Sequence, residues 1–183
     1  MGIRLRLTGP DGRDYVPGEP IDVFDGEALI GRVQSVTLSY DGTEVWIENF
    51  MTVDFEGFRA GALPRLVLAE VVNFIAESHP SVHMIGIELS RDVPEFVGRE
   101  ASLASYRSEI LQSIGVRNIR VSPKPQGGRI GCLAVTGIWH YDGASVAALA
   151  AALRTQRAAY RDARPAMPSK PRSRLDRLLR RKP

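Results

Sequence analysis

The chain has 183 residues, 44% of them hydrophobic and 25% charged, and a formal net charge of +3. That length and balance fit one soluble globular domain with an appendage, and exclude a chain disordered throughout. Residues 154–183 hold eleven Lys or Arg against two Asp, so the alkaline character belongs to the end of the chain and the body before it is mildly acidic.

No apolar run approaches the roughly 20 residues of a spanning helix. The opening MGIRLRLTGPDG lacks the apolar block of a secretory signal, so a cytoplasmic location is expected. Cys132 is the single cysteine, which excludes an intramolecular disulfide and suits a small buried residue. His79, His83 and His140 show no ligand-like spacing, and no metal site is expected.

Taken in order, IRLRLTG alternates apolar and polar residues and predicts a short strand. Residues 10–20, PDGRDYVPGEP, read as loop. From Ile21 to Val53 three β-rich runs are separated by Asp25-Gly26 and Asp41-Gly42, the signature of an antiparallel meander whose turn residues take positive φ. Alternation along the third run puts Trp46, Glu48, Phe50 and Thr52 on one face, and Val45, Ile47, Asn49, Met51 and Val53 on the other.

The period then changes. Leu66, Leu68, Ala69, Val72, Phe74 and Ile75 recur at helical spacing, with Pro64 at the first helical position. VHMIGIELS suits a buried strand, and REASLASYRSEILQSIG a second helix ended by Gly115. NIRVSPKPQGGRIGCLAVTGIWHY gives two strands around a Pro/Gly turn. GASVAALAAALRTQRAAYRDA gives an Ala-rich last helix, suited to packing on the sheet or pairing with a second subunit. A strand–helix–strand step beside antiparallel hairpins predicts an α/β fold with a mixed sheet and helices on its faces.

This order, with IDVFDGEALIGRVQSV, FMTVDFEGFRAGALPRLVLAEV and SEILQSIGVRNIRV in it, resembles the GNAT family of acyl-coenzyme A-dependent N-acyltransferases. The three stretches look like that family's second and third strands, its fourth strand with phosphate loop, and a later helix–strand step. The resemblance covers about residues 21–141. It implies a GNAT-like domain over 1–163, with its last helix at 143–163, followed by a Pro-broken basic tail at 164–183.

The resemblance further implies acetyl-CoA or another acyl-CoA as co-substrate and an amine as acceptor. The main chain of Met51 and Val53 would follow the pantetheine arm. Arg59, Gly61, Ala62 and Arg65 would lie near the pyrophosphate. A general base is often a glutamate on the fourth strand. Glu44 and Glu48 are available here, and Glu48 stands nearer the strand's centre, between two aromatics.

Three departures bear on function. Ala62 and Pro64 fall where the family has small, donor-rich positions, and Pro64 has no backbone N–H to offer a phosphate. The position of a frequent catalytic tyrosine is Leu111, and Tyr106 lies about 140° away around a helix. The helices usual between the first two strands are replaced by the loop from Thr8 to Pro20. That leaves either an acceptor site open to a large or protein substrate, or no acceptor site. Two readings therefore stand: an N-acyltransferase, and a non-catalytic scaffold of the same fold. The tail, with Leu175, Leu178 and Leu179 among arginines, suits contact with an anionic membrane, with nucleic acid or acidic protein, or free solvation.

Overall fold

The computed structural model describes residues 5–52, 62–91, 93, 96–124 and 133–163. Seven strands form one sheet: β1 (Arg6–Thr8), β2 (Ile21–Asp25), β3 (Ala28–Leu38), β4 (Glu44–Thr52), β5 (Met84–Leu89), β6 (Arg117–Pro123) and β7 (Leu133–His140). Their order across the sheet is β1-β2-β3-β4-β5-β7-β6. Three helices accompany them: α1 (Ala62–Ser78), α2 (Glu100–Ser113) and α3 (Gly143–Ala163). The mixed sheet and the strand and helix order agree with the layout the sequence resembles.

β2, β3 and β4 make the expected meander. In both turns the left-handed residue is the glycine, Gly26 at φ 62° and Gly42 at φ 72°. The aspartates do other work. Asp25 stays in the strand opposite Ala28, and Asp41 accepts hydrogen bonds from Ser39 Oγ (2.6 Å), Thr43 Oγ1 (2.8 Å) and the Thr43 amide (3.1 Å).

β4 and β5 are parallel, and β5 and β6 run the same way with β7 antiparallel between them. Crossovers between parallel strands are right-handed in nearly all cases. β4–α1–β5 and β5–α2–β6 step across the sheet in the same direction, so both helices fall on one face. α3 packs on α1 and touches α2, burying Leu149, Ala152, Leu153 and Tyr160.

Sandwiched between sheet and α3, α1 is buried on almost every side. Val67 and Val71 join the stripe read from sequence, and Phe74 is only half-buried. The buried Glu70 carboxylate is gripped by both arms of Arg157 from α3, at 2.6 and 2.8 Å. Tyr160 donates to Asp25 at 2.9 Å, tying the end of α3 to the β2–β3 turn.

The loop between β1 and β2 holds only a short 3-10 turn at Pro10–Gly12. It folds toward the C-terminal end of α1, where the Tyr15 ring meets Phe74 at 5.3 Å and His79 at 5.8 Å, both edge-on. Among the described residues no helix packs on the opposite face of the sheet. Trp46 there is 38% exposed and Glu44 and Glu48 are exposed.

Candidate functional site

β4 and β5 pair from Glu44↔Met84 to Ile47↔Ile87 and no further among the described residues. Neither strand stops there. β4 runs on to Thr52, braced by β3 through Gly31↔Thr52, and β5 runs on to Leu89, braced by β7 through Leu89↔Val135. The outer edges stay paired while the inner edges part. The backbone of Glu48–Thr52 facing this opening has no β5 partner. A row of amides and carbonyls without ladder partners can accept an extended ligand as a further strand would.

The parting begins beside a local break in β4. Asn49 has φ 54°, in the left-handed region that asparagine tolerates better than most residues. Its amide donates to Ser35 Oγ at 3.3 Å. The alternation of the strand reverses across it. Val45 and Ile47 are buried, Glu48 and Asn49 are both exposed, and Phe50 returns to the core opposite fully buried Val33. This corrects the simple alternation expected from sequence. Trp46 and Glu48 share the open face, while Phe50 and Thr52 turn to the helix side, and Met51 turns away from it. Of the two aromatics expected beside Glu48, only Trp46 therefore shares its face.

The opening lies at the C-terminal ends of β4 and β5. A crossover helix between parallel strands starts at that same end, so the first turn of α1 and its positive dipole share it. α1 is described from Ala62, which is partly exposed, with Pro64 in the same first described turn. In the first turn of a helix a missing N–H costs the helix nothing, because the leading amides have no intrahelical partner. One donor for an anion is still lost.

Arg65 stands in this turn and contributes less free charge than the sequence suggested. Its guanidinium is 3.4 Å from Glu109 and 5.4 Å over the Tyr106 ring. Tyr106 is half-buried. Burial pushes its hydroxyl pKa up, and Arg65 partly offsets that. Leu111, where the resemblance would place a tyrosine, is fully buried and has no ionisable proton. Val53, Arg59, Gly61 and Cys132 lie outside the described residues.

One carboxylate at the opening escaped the sequence reading. A Cβ on Gly86 would strike the Trp46 ring, so Gly86 and Trp46 share a face. Glu88, two residues on, points the same way. Glu48 and Glu88 thus directly follow the last paired residues, Ile47 and Ile87, one on each lip. The period of MIGIEL holds this signal, but only the pairing register reveals its meaning.

A separate cleft of about 290 Å³ lies at the other end of α1, between Tyr15, Phe74 and His79. Burial there lowers the His79 pKa and raises that of Tyr15, and the two groups approach at 3.4 Å. No cluster of metal-ligating side chains occurs among the described residues, and none of their helices is long and apolar enough to cross a membrane.

No protein-family model matches the chain, and no curated protein matches it. Solved structures similar in layout include the N-terminal domain of a ribosomal-protein-alanine acetyltransferase from Clostridium acetobutylicum. That one is 12% identical with a TM-score of 0.48, covering 77% of this chain and 94% of that one. The ribosomal-protein-S18-alanine N-acetyltransferase of Escherichia coli is 11% identical with a TM-score of 0.46, covering 74% and 92%. A Bacillus subtilis acetyltransferase in complex with CoA is 11% identical with a TM-score of 0.45, covering 76% and 100%. Likeness at this level transfers no residue's role.

Proposed function

We propose that the chain is an acyl-CoA-dependent N-acyltransferase, taking its donor into the opening between β4 and β5. The observation that carries this reading is the end of the β4–β5 ladder at Ile47↔Ile87 while both strands continue. An extended amide-bearing arm fits an edge of free backbone groups, and the main chain around Met51 supplies it. Ala62 and Arg65 stand at the positive end of α1, where an anionic group of the donor is favoured. Val53, Arg59 and Gly61 complete the proposed donor contacts.

In this reading the acceptor amine approaches from the uncovered face. The Glu48 carboxylate, directly or through a water, takes a proton from the ammonium, and the nitrogen attacks the thioester carbonyl. The C–N bond forms and the C–S bond breaks; the nitrogen's second proton leaves to solvent, and solvent protonates the thiolate because Leu111 has no proton to give. A face on which no described helix packs suits a large or protein acceptor.

The second reading, a scaffold without catalysis, draws on two observations. Leu111 is fully buried, and Pro64 removes a donor from the first turn of α1. Melting with acetyl-CoA separates the two. A donor that binds only the folded chain raises the melting temperature in a concentration-dependent way, whereas an unchanged melting temperature at millimolar acetyl-CoA favours the scaffold.

A further inference from the structure

The face on which no described helix packs has a specific chemistry. On the central strands β4, β5 and β7 it presents Glu44, Trp46, Glu48, Met84, Glu88, Thr136, Ile138 and His140, as the registers Glu44↔Met84, Met84↔His140, Gly86↔Ile138 and Glu88↔Thr136 require. Three glutamates stand there with no Lys or Arg among them. The cations nearest this face lie at its margins: Arg32 on β3 is bound to Asp22 at 2.5 and 2.7 Å, and on the edge strand β6 Arg117 stands opposite Ile138, paired with Asp142 at 2.9 Å, and Arg120 opposite Thr136. Trp46, Met84 and Ile138 supply partly exposed apolar surface between the acids.

The chain carries a segment of complementary character. Residues 164–183 hold eight Lys or Arg against Asp176 alone, and Leu175, Leu178 and Leu179 recur at helical spacing. This segment leaves α3 at the same end of the sheet as the opening. Tyr160, three residues before the end of α3, bonds to Asp25 at the C-terminal end of β2. β2 runs parallel to β4, with β3 antiparallel between them. The tail therefore departs from the end of the sheet at which β4 and β5 part. Its first eight residues include Pro165, Pro168 and Pro171 and reach about 25 Å when extended. That exceeds the roughly 20 Å of two layer spacings, from α3 across the α1 layer to the sheet, so the leucines can reach the far face.

We propose that residues 172–182 of this chain dock across the uncovered face, leucines on Trp46, Met84 and Ile138 and arginines against Glu44, Glu48 and Glu88. This follows from the sheet face and the tail alone and holds whether or not the opening takes an acyl donor.

Trp46 reports the docking directly, because Trp139, the chain's other tryptophan, is fully buried. The measurement is acrylamide quenching of Trp46 fluorescence in the full chain, with Trp46→Phe giving the Trp139 background. A neutral quencher avoids attraction to the tail. Leu175→Asp, Leu178→Asp and Leu179→Asp together raise the quenching constant about twofold as solvent gains the ring. Glu44→Lys with Glu88→Lys does the same from the other side. Adding Arg177→Glu and Arg180→Glu to that pair of lysines restores protection. Equal quenching in the wild type and the triple-leucine variant overturns the proposal. Protection that disappears on dilution overturns it too, in favour of a second copy of the chain on this face.

Discussion

Arg157 of α3 closes both guanidinium arms on Glu70 of α1, at 2.6 and 2.8 Å, across 87 residues of sequence. Glu70 is buried and Arg157 is 41% exposed at its side chain, so the pair sits at the seam where α3 covers α1. Removing the arginine leaves a carboxylate in a desolvated position. Arg157→Met is expected to destabilise the chain by about 2 kcal/mol, below the full value of a buried pair because the arginine side is partly solvated. Urea denaturation checks this, and Glu70→Gln in the Arg157→Met background should recover part of the loss.

The reversal of β4 at Asn49 gives a second prediction. Its φ of 54° is strained for a β-branched side chain and free for glycine. Asn49→Val is expected to cost about 1–3 kcal/mol, and Asn49→Gly to stay within a few tenths of a kcal/mol of the parent. Denaturant midpoints of the two variants test this. Equal midpoints would mean that the strand does not depend on the left-handed residue.

Asp41 makes a pH prediction. Ser39 first and Thr43 second hold its carboxylate in the β3–β4 turn, lowering its pKa to about 2. A folded-state pKa below the unfolded value means that the group adds stability above the ordinary carboxylate range and loses it as pH falls toward 2. Asp41→Asn should therefore flatten the stability–pH slope between about pH 4 and pH 2, and carboxyl NMR should place the Asp41 titration near 2. An Asp41 that titrates with ordinary aspartates would remove this contribution.

For the proposed chemistry, Glu48→Gln should lower turnover about a hundredfold or more while the acetyl-CoA melting shift stays intact. Loss of the melting shift along with turnover would assign Glu48 to binding instead. Glu88→Gln, on the other lip, is the paired comparison. If Glu88 rather than Glu48 abolishes turnover, the base lies across the opening.

Much of the fold was legible because its signals are local. Asp-Gly turns, period-2 runs and period-3.6 runs marked the meander and helices without knowledge of their neighbours. Gly115, at φ 87°, ends α2 where its sequence position implied. The reversal at Asn49 was not legible, since asparagine in a strand announces no particular φ and simple alternation reads straight through it. Glu88 was equally hidden. Its importance depends on where two strands stop pairing, and that is a relation between segments 40 residues apart in sequence. Arg65 was recognised as a cation, but its partners Tyr106 and Glu109 come from α2 and are set by packing.

The central claim is that the parted edges of β4 and β5 receive an acyl-CoA. The most direct measurement is a backbone amide NMR titration of the full chain with acetyl-CoA. The account predicts saturable shifts concentrated at Asn49–Thr52 on β4 and Glu88–Leu89 on β5, with the Glu44–Ile47 amides little moved. Saturable shifts confined to another part of the chain, or none at millimolar acetyl-CoA, would contradict it.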